Sequence, residues 1–241
     1  MSRILSSSLL LFLSISVPLC VAQQTLTVAT AADLAPLQPD LLKLYPHLRF
    51  VTSASAILMQ QIENGAPYDV FLSANAAYVD QLAQKRKIEP DSVVVYAVGR
   101  LGLLWRDGKP REFKDLADPA VRLVIFANPK LAPYGLAARQ SIEHAGIWGK
   151  VESKIVYAEN VRQALEIFES GNGDAVLTSA SLLQGKPAQL VPNDWHAPIE
   201  QKAGVVSASP NQTAARGFLK QLTGPAGQAV FARHGFARPA P

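Results

Sequence analysis

Cysteine is almost absent from this sequence: Cys20, near the N-terminus, is the single one. It falls within a segment that reads as removable, so the remaining chain is expected to form no disulfide and no thiolate metal site. Histidine is scarce and dispersed. His47, His144, His196 and His234 have no His or Glu partner at metal-ligand spacing, which speaks against a bound cation. Basic charge is thin as well. The formal net charge of +4 is spread along the chain, and the densest run, Lys85-Arg86-Lys87, is the solvated end of a helix. Nucleic-acid binding usually needs a basic stripe with interleaved aromatics. The chain carries no Gly-x-Ser-x-Gly elbow, no phosphate-binding Gly-x-x-x-x-Gly-Lys loop and no Gly-x-Gly-x-x-Gly. Gly171-Asn172-Gly173-Asp174 reads as a turn entering a strand. Ser55 with Asp33 is the one nucleophile–acid pair that can be named, and it lacks a histidine partner. Together these absences point away from catalysis, a cofactor and a nucleic-acid partner.

What is present begins with an export signal. Arg3 is followed by an apolar, serine-softened run from Ile4 to Val17, then Pro18 and the small-residue site Cys20-Val21-Ala22. The run is short for a membrane anchor. Leu19 disfavours lipidation at Cys20, because such sites want a small residue there. Residues 1–22 are therefore expected to be cleaved, leaving a periplasmic chain from about Gln23. Its composition, 49% hydrophobic and 17% charged, is that of an ordinary globular protein.

The mature chain alternates strand and helix patterns. Thr25–Ala31, Leu48–Ser53 and Asp69–Ser73 read as strands, with helical spacing over Leu34–Tyr45, Ala56–Asn64 and Asn75–Lys85. Ser55 stands at an N-cap position and Gly65 at a helix stop. A second set follows: strands at Val121–Ala127, Lys154–Ala158 and Asp174–Ser179, helices at Tyr134–Ala145 and Asn160–Ser170. The latter opens on the capping pattern Asn160 to Gln163. Two long apolar runs, Ser92–Trp105 and Ile199–Ser209, separate the sets as crossings, and two closing helices follow. The expected fold is α/β with two lobes, each a mainly parallel sheet flanked by helices, and a ligand cleft between them. The expected division is 23–99 with 206–241 for lobe I and 100–205 for lobe II.

Helix N-termini that follow strands gather at the carboxyl ends of a sheet, where ligands bind, and their free N–H groups suit anions. Such termini follow Ala32-Asp33, Ser53-Ala54-Ser55, Pro133-Tyr134-Gly135 and Glu159-Asn160-Val161. Ordinary caps in any α/β protein would look the same, so these residues alone leave both readings open.

Five segments carry a resemblance. They are Val28-Ala29-Thr30-Ala31-Ala32-Asp33-Leu34, the run Gln61–Ala74 with its Gly65-Ala66-Pro67-Tyr68-Asp69 core, Asn128-Pro129 through Gly135, Ala158–Leu165, and Arg233-His234-Gly235-Phe236. Over nearly all of the mature chain the sequence resembles the periplasmic molybdate-binding proteins of bacterial ABC transporters. The resemblance implies a monomer that closes around molybdate or tungstate and delivers it to a membrane permease and its ATPase. It implies oxyanion contacts at Asp33, Ser55, Tyr134, Val161 through its N–H, and Ser179, with no metal-cation ligand. Two residues depart from the pattern. Asp33 stands where serine is common, and an ionised carboxylate cannot donate to an anion. Ser179 is short for a position usually held by tyrosine. Another small anion such as sulfate, or a non-transport exported protein on the same fold, is the alternative.

Overall fold

The computed structural model describes residues 24–239; the expected signal segment lies outside them. Along the first lobe run β1 (Leu26–Ala31), a 3-10 helix (Ala32–Leu37), α1 (Gln38–Leu44), β2 (Leu48–Ser53), α2 (Ser55–Glu63), β3 (Val70–Ser73), α3 (Ala76–Gln84) and β4 (Val94–Gly99). The second holds β5 (Leu101–Trp105), β6 (Val124–Ala127), α4 (Pro133–His144), α5 (Trp148–Val151), β7 (Ile155–Ala158), α6 (Val161–Glu169), β8 (Ala175–Ser179) and β9 (Gln189–Leu190). The chain then returns through β10 (Ile199–Val205) to α7 (Gln212–Thr223) and α8 (Pro225–Arg233).

The first sheet has strand order β2-β1-β3-β10-β4 and the second β7-β6-β8-β5-β9. In each, three neighbouring strands are parallel, and the crossing strands join antiparallel. Helices cover both faces of each sheet, which explains the near-continuous apolar runs. In the first sheet Val28, Val70 and Leu72 pack with Leu34, Leu41, Phe218 and Phe231. Their neighbours Ala29 and Phe71 pack on the opposite face with Leu58, Ile62 and Leu82. The second sheet repeats the division. Leu103, Phe126 and Leu177 face one core with Ala138 and Ile142, and Leu104, Ile125 and Val176 face another with Leu165 and Phe168.

The run Ser92–Trp105 is a crossing, as expected, and it divides at Arg100 into one strand for each sheet. The segment 100–205 loses its last strand, since β10 pairs with β3 and β4 and buries Ala203 and Val205 in the first lobe's core. Over Leu34–Tyr45 the irregular first turns expected from Pro36 and Pro39 form a 3-10 segment up to Leu37, and a regular helix runs from Gln38. Pro36 and Pro39 remove the N–H groups that a continuous helix would need.

Candidate functional site

The carboxyl ends of β1 and β2 face those of β6 and β7 across the junction of the lobes. The chain turns there into helices, as the small residues Ala31, Ala54, Ala74 and Ala132 allow close backbone approach. The lobes touch at this place. Tyr134 Oη donates to Asp33 Oδ2 at 2.9 Å, Ser181 Oγ donates to the Asp33 carbonyl at 2.6 Å, and Ala56 N–H donates to the Leu131 carbonyl at 3.3 Å. Between them lies a narrow cavity of about 10 Å³ lined by Asp33, Ser53, Ser55, Tyr134, Asn160 and Val161 together with the alanines and Pro133. Among the described residues that line it there is no Lys, Arg or His. The space is about that of a single water, so an ion of several atoms is admitted only as the lobes move apart.

Ser55 is not the N-cap that its position suggests. Ala54 is the cap, and Ser55 is the first helical residue. Its hydroxyl accepts from Ala74 N–H at 3.1 Å, which fixes the oxygen and leaves the proton for a ligand. Val161 opens α6. Asn160 Oδ1 accepts from the N–H groups of Arg162 and Gln163, both at 3.0 Å, so the Val161 N–H has no partner among the described residues. The carbonyl of Val161 is held by Thr178 Oγ1 at 2.9 Å, which ties this helix start to β8. Gln163 completes a cap, though to Glu159 N–H and not to Asn160, at 2.6 Å. The cavity therefore meets two nine-residue helices, one from each lobe, at their N-terminal ends, where the helix dipole favours negative charge.

Asp33 is fully buried. Its Oδ2 accepts from Tyr134 and from the Gln201 side-chain amide, while Oδ1 is buried without a partner. Gln201 also donates to Tyr134 Oη at 3.1 Å, and Tyr96 Oη donates to Gln201 Oε1 at 2.7 Å, which fixes the amide's orientation. Burial pushes the Asp33 carboxyl up to about 6, against the opposing bonds from Gln201 and Tyr134. Burial, and then the charge on Asp33, hold Tyr134 well above the usual tyrosine range, so its hydroxyl stays a neutral donor.

Four of the five expected contacts, Asp33, Ser55, Tyr134 and Val161, line one cavity. Ser179 does not. It is buried at the end of β8, and its hydroxyl pairs with Ser181 Oγ at 2.7 Å, one step behind the Asp33 carbonyl. It also lies within hydrogen-bonding reach of the Tyr134 hydroxyl, so it stands behind the lining. Sequence reasoning missed Gln201, Tyr96 and Gly99. Gln201 had a signal, a polar residue with no exposure inside an apolar crossing strand. Gly99 had none: a Cβ there would sit 2.1 Å from Tyr134 Oη, so only glycine lets that hydroxyl reach Asp33. Ser55 and Asp33 are not hydrogen-bonded to each other: Asp33 Oδ2 accepts from Tyr134 and Gln201, and the Ser55 hydroxyl accepts from Ala74 N–H.

Two α/β lobes meeting at a small cavity lined by hydroxyl and N–H groups beside one buried carboxyl define a solute-binding protein. Comparison with known sequences narrows the class. The profile of a family described as bacterial extracellular solute-binding proteins matches residues 26–237, and the chain belongs to this family. It is 31% identical over 182 residues to the molybdate-binding protein ModA of Rhodobacter capsulatus, covering 73% of this chain and 71% of that protein. It is 32% identical over 186 residues to ModA of Azotobacter vinelandii, covering 73% of each. The solved structure of the Azotobacter vinelandii periplasmic molybdate-binding protein superposes with a TM-score of 0.83 at 29% identity, over 89% of this chain and all of that one.

Proposed function

We propose that the chain is the periplasmic binding component of an ABC importer and that its cargo is molybdate, with tungstate as a near-isosteric second ligand. The mature protein acts as a monomeric carrier without turnover, delivering the ion to a permease and its ATPase at the inner membrane. The observation that carries this reading is the cavity itself: small, bounded by both lobes, and lined by hydroxyl and N–H groups beside the Asp33 carboxyl, with no cation among the described lining residues. Neutral donors bind a dianion through fixed dipoles, and the low local dielectric inside the closed cleft strengthens each of them. The likeness to proteins named for molybdate binding supports the choice of ion.

Isothermal titration of the mature protein with molybdate tests the proposal. We expect saturable one-to-one binding, and weakening by about 1–3 kcal/mol in Ser55→Ala, the usual loss when a buried charged acceptor forfeits a donor. Saturable heat with sulfate but none with molybdate or tungstate would reject the ion. An unchanged affinity in Ser55→Ala would remove Ser55 from the site.

A further inference from the structure

Asp33 is a carboxyl group in a cavity whose other polar groups suit an anion, and its hydrogen bonds show where a proton can reside. The two donors Tyr134 Oη and Gln201 Nε2 occupy Oδ2. The Gln201 oxygen accepts from Tyr96, which directs its amide nitrogen at Oδ2. Oδ1 alone is buried and unpartnered. A proton added to Asp33 therefore goes to Oδ1, and there it converts an acceptor into a donor.

We propose that this site takes up its oxyanion together with one proton, which comes from solvent and is held at Asp33 Oδ1 to face a ligand oxygen. The inference rests on the proposed oxyanion function and deepens it. The groups facing Asp33 are Tyr134 from α4, Tyr96 from β4, Gln201 from β10 and Ser181 after β8. All are neutral, and among the described residues no cation contributes to its ionisation. Hydrogen bonds from Gln201, Tyr134 and the backbone N–H groups of Asp33 and Leu34 favour the ionised form, but no charged side chain offsets its repulsion of a bound dianion, whereas the protonated form removes the charge and adds a donor. The free carboxyl already titrates at about 6, so the proton is available just below neutrality. A nearby dianion raises that value further, because it penalises the ionised form.

The sign of the linkage follows. Below about pH 6 the carboxyl is protonated before and after binding, and affinity does not depend on pH. Above it, each binding event draws in a proton, and affinity falls by up to about tenfold per pH unit.

The test is calorimetry with micromolar molybdate, and in parallel with sulfate, between pH 5.5 and 8.5 in buffers of different ionisation enthalpy. We expect uptake approaching one proton per ion at pH 7.5 in the wild type. In Asp33→Asn we expect no uptake and an affinity independent of pH. Binding without proton uptake in the wild type overturns the proposal, and that reading needs no variant. Uptake that persists in Asp33→Asn overturns it as well. If molybdate gives no heat at any pH while sulfate binds with uptake of a proton, the choice of molybdate fails and the role of Asp33 stands. If neither ion binds, both fail.

Discussion

Gly135→Ala is expected to destabilise the protein by about 3 kcal/mol, at the upper end for overpacking, and to remove most ligand affinity. Gly135 lies in the first turn of α4, pressed against the end of β6. A Cβ there would stand 2.0 Å from the Ala127 carbonyl oxygen and 2.7 Å from its carbon. Both are backbone atoms of a buried central strand, so neither can swing away as a side chain would. The helix must lift, and it carries Pro133 and Tyr134, which line the cavity. Urea unfolding should show a lower midpoint with an unchanged slope, and titration of the folded protein should show weak binding. A variant with normal stability and affinity would mean that the helix is not seated on β6 in this way.

Asp69→Ala is expected to cost about 3 kcal/mol as well, with the opposite functional signature. Asp69 closes the Gly65-Ala66-Pro67-Tyr68-Asp69 segment and is buried. Its Oδ2 accepts from Thr27 N–H at 2.7 Å, and its Oδ1 from Ser209 Oγ at 2.5 Å and Asn211 Nδ2 at 3.0 Å. One carboxylate thus joins the start of β1, the entry to β3 and the segment that follows β10. Its removal strands three donors, each costing about 1–3 kcal/mol when buried and unpaired; partial relaxation toward solvent lowers the sum. Asp69 does not line the cavity, so the fraction that folds should bind ligand with wild-type affinity. Thermal or urea denaturation with parallel titration separates the two effects. A loss of affinity at unchanged stability would contradict this assignment.

The contrast between these two residues shows what the sequence made legible. The alternation of apolar strands and capped helices was readable because both faces of each sheet are covered, and the punctuation by Gly65, Asn75, Asn160 and Pro225 was readable because each acts locally. That Asp33, Ser55, Tyr134 and Val161 would share one place was legible because they stand at helix starts after strands; their role came from the resemblance. The Asp33–Tyr134–Gln201–Tyr96 chain was not. Its members are separated by up to 168 residues in sequence, and their bonds exist only once β4 and β10 have been brought side by side. The pairing of Ser179 with Ser181 was not legible for a similar reason: nothing local to β8 announces it. Gly99 looks like any strand-end glycine until the tyrosine from the other lobe arrives beside it.

The central claim is that the interlobe cavity holds a molybdate ion against neutral donors from both lobes. A crystal of the mature protein grown with molybdate, with diffraction recorded at the molybdenum absorption edge, tests it most directly. The account predicts a single strong anomalous peak in the cavity, with oxygen atoms within hydrogen-bonding distance of Ser55 Oγ and the Val161 N–H. A molybdenum peak outside this cavity, or a cavity that holds no molybdenum under saturating conditions, would contradict it.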